Sequence, residues 1–180
     1  MATPVQMFEH RLNVIKGWWS MANLDKSLPV ADGETGIKAG MVCYIDPDTT
    51  EFKRGLPGNQ MPIFIFQDQD HYSALGGDAA NISSYGYSTV KGIAGLPAVF
   101  GVELETAEYD TGESYPPNTP LTVINTAGDD QGKVTVGVFY TDTICAMVSD
   151  GVVTNGHGVS VVRAWTLFIP STDAEESSVA

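Results

Sequence analysis

The chain is short of basic side chains. It has nine Lys and Arg against 22 Asp and Glu among its 180 residues, which gives a formal net charge of −13. Beyond Val90 the basic residues are Lys91, Lys133 and Arg163. Nucleic-acid binding needs clustered Lys and Arg that displace counterions from phosphates. The sequence therefore predicts no nucleic-acid partner. Its negative charge suits a protein on the outside of an assembly, or serves only to keep the chain soluble.

Cysteine and long apolar runs are scarce as well. Cys43 and Cys145 each lie in an apolar, strand-like run, which favours buried free thiols, although a disulfide between them stays open. No window reaches the length of a membrane span, and the N-terminal segment lacks the continuous apolar core of a signal peptide. We therefore expect a soluble chain made in a cytosol, with no membrane partner.

Patterns that carry catalysis or hold a cofactor are missing. There is no G-x-S-x-G elbow, no Walker A loop and no H-E-x-x-H motif. His10, His71 and His157 have no partner at a metal-ligand spacing. The D-x-D pairs Asp46–Asp48 and Asp68–Asp70 lack the further oxygen ligands of a calcium loop. The sequence therefore predicts no enzyme, no cofactor and no metal site.

Short apolar or alternating runs, separated by turn clusters, fill most of the chain. Six or more such runs without βαβ alternation predict a mainly β fold, an antiparallel β-sandwich or barrel. Arg163 falls among apolar residues of the last run, so either it pairs with a carboxylate at an interface or a bulge shifts the register there. The predicted strands are Met41–Ile45, Met61–Phe66, Pro97–Leu104, Pro120–Asn125, Lys133–Tyr140, Thr143–Val148 and Val159–Ile169.

The pattern divides the chain into three parts. Residues 1–36 form an irregular N-terminal arm, 37–170 a β-rich domain, and 171–180 a short acidic tail that we expect to be mobile. Within the arm, residues 9–19 have apolar side chains at roughly helical spacing. Trp18, Trp19 and Met21 concentrate apolar surface, which either packs on the domain's own core or docks on a neighbouring subunit.

The region just after residue 102 is the most acidic of the domain. Its densest cluster consists of Glu103, Glu105, Glu108 and Asp110, and we interpret it as a surface patch or an interface contact. Tyr109 and Tyr115 flank an acidic loop that ends in two prolines, which stiffen the chain and lower its ordering cost on contact. The loop is either a docking element or a plain stiff surface loop.

Four parts of the chain resemble a known family. Glu103–Asp110, Tyr115–Thr122 and the ending, with Val148–Gly151, Asn155–Gly158 and Val161–Pro170, are similar to a pattern in virion-associated proteins of tailed phages. Ile37–Val42 resembles the opening strand of capsid decoration proteins. The resemblance implies a β-rich cement protein, often trimeric, on the outer face of the head shell at local threefold positions. Such proteins hold major capsid subunits against the internal DNA pressure.

The first hypothesis is therefore a virion structural protein, made in the host cytoplasm, that binds the outer capsid surface and stabilises the shell. Its expected partners are the major capsid protein and itself, as a homotrimer. The candidate contact residues are Trp18, Trp19, Met21, Tyr109, Tyr115 and Arg163. The alternative is a receptor- or carbohydrate-binding β-module of a head fibre or tail, using Tyr85–Tyr87. A third hypothesis is a metal-assisted hydrolase that uses Asp68, Asp70 and His71.

Overall fold

The structure is a computed structural model that describes residues 12–16, 28–66, 95–98 and 101–172. Within these ranges the chain forms ten strands and no helix, and therefore no helix that could span a membrane. The predicted mainly β, antiparallel fold is confirmed. The strands are β1 (Leu12–Lys16), β2 (Val42–Ile45), β3 (Phe52–Arg54), β4 (Ile63–Ile65), β5 (Gly95–Pro97), β6 (Glu103–Thr106), β7 (Pro120–Val123), β8 (Val134–Val136), β9 (Ile144–Thr154) and β10 (Ser160–Ile169).

The larger sheet has six antiparallel strands in the order β1-β6-β10-β9-β7-β8. Its centre is the long hairpin β9–β10. The hairpin turns at Asn155–Gly158, as the sequence predicts, and Gly158 takes a left-handed φ of 80°. The Asn155 side-chain oxygen accepts hydrogen bonds from the backbone N–H groups of His157 and Val159, each at 3.0 Å. A turn residue therefore satisfies the backbone groups that the hairpin leaves open.

Strand β9 is longer than the sequence predicts, and it contains a bulge. The sequence places the end of the strand at Ser149–Gly151, but β9 continues to Thr154. Arg163 lies opposite Gly151 and Ala164 lies opposite Val148, so two residues of β9 have no partner on β10. Gly151 has a φ of 83°, a conformation that only glycine adopts at little cost.

The smaller sheet has four strands in the order β3-β2-β4-β5. The sequence predicts a loop where β3 lies, because Gly55, Pro57 and Gly58 follow it closely. The strand is only three residues long, and Phe52 is 2% exposed in a second apolar cluster with Val30 and Ile37. Residues that the sequence assigns to the arm, such as Val30, therefore belong to this cluster.

The two sheets face each other across one apolar core. Val42 and Phe64 of the small sheet pack in the same cluster as Leu104, Val162 and Ala164 of the large one. Since side chains alternate along a strand, the residues between these point to the outer face of the large sheet. In β10, Arg163 and Trp165 lie on this outer face, opposite Glu105 and Glu103 of β6. Within the described residues the sheets do not close into a barrel.

Two predicted elements are wrong. In place of the short helix over 9–19, the described part of that segment is β1, which pairs with β6. Leu12 and Val14 contact the core at the two-residue period of a strand. In place of a single strand over 97–104, the chain turns at Gly101, with φ 104°, and passes from one sheet to the other.

Polar contacts as well as apolar packing hold the two sheets together. The Thr106 hydroxyl on β6 donates to the Gly40 carbonyl just before β2, at 2.8 Å. The same oxygen accepts from the backbone N–H of Glu108 at 3.1 Å. Beyond β7, the Asn125 side chain accepts from the Leu56 N–H and donates to the Leu56 carbonyl. Each link joins residues far apart in sequence, so each fixes the register of one sheet on the other.

We expect Thr106→Val to lower the free energy of unfolding by about 1–3 kcal/mol, because Val keeps the shape and leaves buried backbone groups without this partner. Thr106 is 1% exposed. Urea unfolding followed by tryptophan fluorescence measures the change. Thr154→Val, at an exposed position of β9, is the matched control and is expected to be near neutral. An equal effect of both variants would mean that the hydroxyl link between the sheets contributes nothing.

Candidate interaction surface

The candidate contact residues of the arm lie outside the described residues. This holds for Trp18, Trp19 and Met21. It also holds for the Tyr85–Tyr87 segment of the alternative hypothesis and for Asp68, Asp70 and His71 of the hydrolase hypothesis. Those assignments stay predictions. Of the candidate contact residues, the structure describes Tyr109, Tyr115 and Arg163.

The Tyr109 and Tyr115 rings lie in the core and not on the surface. They are 9% and 4% exposed and pack edge to face, with ring centroids 5.6 Å apart and an interplanar angle of 89°. The Tyr115 hydroxyl donates to the Asp110 carbonyl at 2.8 Å. Burial raises the pKa of Tyr115, and the carboxyl of Asp110 raises it further. The two rings therefore act as internal supports for the loop between them, in which residues 111–114 are exposed. Pro116 and Pro117, which follow Tyr115, are exposed as well.

The acidic cluster after residue 102 is largely buried. Glu103 and Glu105 are 7% and 6% exposed and share the outer face of β6, while Leu104 between them faces the core. The Lys16 ammonium on β1 lies 3.2 Å from a Glu103 carboxylate oxygen. Arg163 Nε on β10 lies 3.3 Å from Glu105 Oε2. These two acids therefore make ion pairs to the strands on either side.

Arg163 lies at a bulge, one of the two alternatives that its place in an apolar run predicts, while a carboxylate partner at an interface, the other alternative, stays a prediction. It pairs with carboxylates of its own chain, since its Nη1 also lies 3.5 Å from Asp150 Oδ2. It also sits where the register between β10 and β9 shifts, and Asp150 is one of the two bulged residues. The bulge therefore brings an acid beside the guanidinium, which links β6, β10 and β9. About a third of the Arg163 side chain stays exposed.

The Asp46–Asp48 pair is a turn and not a ligand set. Asp46 pairs with Lys53 of β3, and its Oδ1 accepts from the Asp48 N–H at 2.9 Å. The Lys53 hydrogen bond holds the pKa of the Asp46 carboxyl below its usual range. Across the described parts of the chain, no three His, Cys, Asp or Glu side chains are grouped so that they could hold a metal ion.

Both cysteines are free and buried, each in a different apolar cluster. Burial raises the pKa of the Cys145 thiol to about 12 and that of Cys43 further above its usual range. The Cys145 thiol donates to the Leu121 carbonyl at 3.4 Å. Since the thiolate is the reactive form, both groups are shielded by burial and by protonation.

One surface feature that sequence reasoning missed lies at the end of the molecule where β9 begins. Val138 and Tyr140 are 60% and 70% exposed, because β8 ends at Val136 and the chain turns. The sequence predicts a strand through both residues. Gly137 and Asp142, which bracket this turn, were the signal for it. A Cβ at Gly137 would lie 2.9 Å from the end of the Ile144 side chain and 3.1 Å from the backbone nitrogen of Thr122, so a larger residue requires these neighbours to shift.

The neighbours of this turn are well defined. The Asn59 side chain donates to the Ser171 carbonyl and accepts from the Ser171 N–H, at 3.0 and 2.7 Å. The Ser171 hydroxyl donates to the Thr141 carbonyl at 2.8 Å. Met61, two residues after Asn59, is 41% exposed.

Comparisons of this chain with protein-family models, with curated proteins and with solved structures find no match.

We expect Arg163→Met to lower the free energy of unfolding by about 1–3 kcal/mol, since a mostly buried carboxylate then loses its guanidinium. Lys133→Met is the matched control: its partner Asp130 is 68% exposed, so the loss of this pair is expected to cost less than about 1 kcal/mol. Adding Glu105→Gln to Arg163→Met is expected to recover part of the loss. Urea titration of the wild-type protein, Arg163→Met, Glu105→Gln and the double variant gives the coupling energy, and a coupling of zero would contradict the pairing.

We expect neither thiol to react with Ellman's reagent at pH 8 in the folded protein, because both are buried and protonated. Both are expected to react after unfolding in guanidinium chloride, which provides the control for reagent and protein concentration. Rapid reaction of one thiol in buffer alone would show that one of the two clusters opens to solvent.

Proposed function

We propose that this chain is a virion structural protein that binds the outer surface of a tailed-phage capsid and stabilises the shell. The strongest support is the position of the segments that resemble this family. Glu103–Asp110 contains β6, and Val148–Gly151 and Val161–Pro170 contain parts of β9 and β10. These strands are consecutive neighbours in the large sheet, so the similar segments form one continuous framework.

The remaining similar segments join the same framework. Ile37–Val42 leads into β2, and Gly40 within it accepts the buried hydrogen bond from Thr106 of β6. Tyr115–Thr122 leads into β7, which pairs with β9. A resemblance scattered over unrelated surface loops would have little weight. Its concentration in adjoining strands supports a shared scaffold.

The physical character of the scaffold suits a cement protein. Ion pairs cross from β1 to β6 and from β6 through β10 to β9, and polar bonds join the two sheets. A protein that resists the expansion of a shell has to carry load without unfolding. Many weak contacts per copy, repeated over a lattice, then give strong retention through avidity.

The proposal carries the other expectations with it. Its expected partner is the major capsid protein, and the chain is expected to associate with itself as a homotrimer. We expect it on the virion surface after synthesis in the host cytoplasm, without enzymatic activity. The negative net charge of −13 suits the outside of a shell whose interior holds DNA.

The direct test is co-sedimentation of the purified protein with expanded capsids of the phage that encodes it, together with its mass in solution by light scattering. We expect saturable binding and the mass of a trimer. Trp18→Ser with Trp19→Ser is expected to weaken binding about tenfold or more if these residues anchor the arm. Substitution is preferred to deletion of 1–36, because β1 and Val30 belong to the folded domain.

The matched control for this test is Tyr44→Ser, an aromatic substitution at a half-buried site of the small sheet. Binding to a glycan array, with no affinity for capsids, would contradict the proposal and favour the carbohydrate-binding alternative.

A further inference from the structure

The turn between β9 and β10 contains a chemically reactive dipeptide. Asn155 is the one asparagine of the chain that a glycine follows. The backbone nitrogen of the residue after an asparagine attacks the side-chain carboxamide carbon when the two atoms meet, and a succinimide ring forms. Glycine has no side chain to hinder that approach. The sequence alone therefore makes Asn155 the asparagine most prone to this reaction.

The folded turn holds Asn155 at every polar group that the reaction has to move. Its side-chain oxygen accepts from the N–H groups of His157 and Val159, each at 3.0 Å. Its backbone N–H donates to the Val159 carbonyl at 2.9 Å, and its carbonyl accepts from the Gly158 N–H at 3.0 Å. The residue is 6% exposed. Side chain and backbone are therefore fixed together.

Ring closure conflicts with these bonds. The succinimide ring includes the backbone carbonyl carbon of Asn155 and the nitrogen of Gly156, so it dictates how that carbonyl is oriented. The bond from Asn155 to Val159 continues the antiparallel ladder of β9 and β10, in which the backbone is extended. The ring rotates the carbonyl out of this extended orientation and away from the Gly158 N–H. The attack therefore requires the turn to open first.

The end of the hairpin is suited to opening without the core. We call residues 154–160 the hairpin tip. Thr154, Ser160 and the three residues 156–158 are exposed, whereas Val161 and Val162, which follow on β10, are 0% exposed. Segments with few buried apolar contacts open locally at free energies well below that of global unfolding. Opening of the hairpin tip therefore leaves the packed part of the hairpin in place.

We propose that Asn155 is a site of spontaneous covalent modification, and that opening of the hairpin tip sets its rate. The Gly156 nitrogen bonds to Asn155 Cγ, the bond from Cγ to Nδ2 breaks, and ammonia leaves with the proton that the Gly156 nitrogen loses. Water then hydrolyses the ring. Hydrolysis at Cγ gives aspartate, and hydrolysis at the backbone carbonyl carbon gives isoaspartate. This inference is independent of the proposed function.

The two products differ in what they do to the hairpin. Aspartate keeps an oxygen acceptor for the two N–H donors of the turn, so the hairpin tip closes again. Isoaspartate lengthens the backbone by a methylene group, which shifts the strands next to it. The adjoining pair is Thr154 with Ser160, whose hydroxyl lies 2.8 Å from the Tyr109 hydroxyl. Isoaspartate therefore keeps the hairpin tip from closing in this register.

The two glycines of the turn provide matched variants. Gly156 has no left-handed φ, and a Cβ there meets no atom within 4 Å. Gly156→Ala therefore keeps the turn and hinders the attack. Gly158 has a φ of 80°, so Gly158→Ala strains the closed turn and leaves the reactive dipeptide intact. Circular dichroism reports that each variant is folded.

The test follows the conversion of Asn155 by peptide mass spectrometry at mildly alkaline pH, in buffer and in guanidinium chloride. Isoaspartyl methyltransferase identifies isoaspartate. We expect the folded wild-type protein to react more slowly than the unfolded chain, by about tenfold or more. Gly158→Ala is expected to react about fivefold faster than wild type when folded and equally fast when unfolded. Gly156→Ala is expected to lose most of the reaction in both states.

Asn118 and Asn125, each followed by threonine, are the internal controls and are expected to remain amides over the same period. Equal rates at Asn155 in the folded and unfolded wild-type protein would overturn the role of the hairpin tip. So would a folded Gly158→Ala variant that reacts no faster than wild type. If neither folded protein shows any conversion at Asn155, the site is not modified in the native protein and the proposal is wrong. None of these outcomes bears on capsid binding.

Discussion

The neutralisation of two buried carboxylates on β6 is the constraint on which the large sheet depends. Glu103 and Glu105 lie on the same face of that strand, and each is more than nine-tenths buried. A buried charge without a counter-ion is strongly destabilising. Lys16 of β1 and Arg163 of β10 supply the positive charges. The order β1-β6-β10 is thus the one that places a cation on each side of the acids.

This constraint explains other irregular features of the sheet. The bulge in β9 places Asp150 within 3.5 Å of Arg163, so the guanidinium bridges two acids on different strands. The strand β1 is short and at the sheet edge, yet it belongs to the fold because its lysine meets Glu103 and its Leu12 contacts the core. Charge pairing on one face and apolar packing on the other therefore act on the same strands.

The sequence predicted the β class because alternation and turn residues are local properties. It predicted the hairpin turn at Asn155–Gly158 for the same reason. It could not assign β1, since Leu12 and Ile15 suit a helix and Leu12 and Val14 suit a strand, and pairing with β6 decides between them. The burial of Tyr115 could not be predicted from its neighbours in sequence either, because residues from other strands cover the ring.

The cations and the exposed apolar side chains of the described residues contribute differently to stability. Most of the cations that the structure describes are committed to internal pairs, as Arg54 is with Glu34 and Arg163 with Glu105, so they stabilise the scaffold. Tyr140 and Val138 do the opposite: they gain little from the core and require a strained turn. A fold that maintains such a turn with bonds from Thr172 and Asp142 keeps two apolar side chains in solvent at a cost in stability.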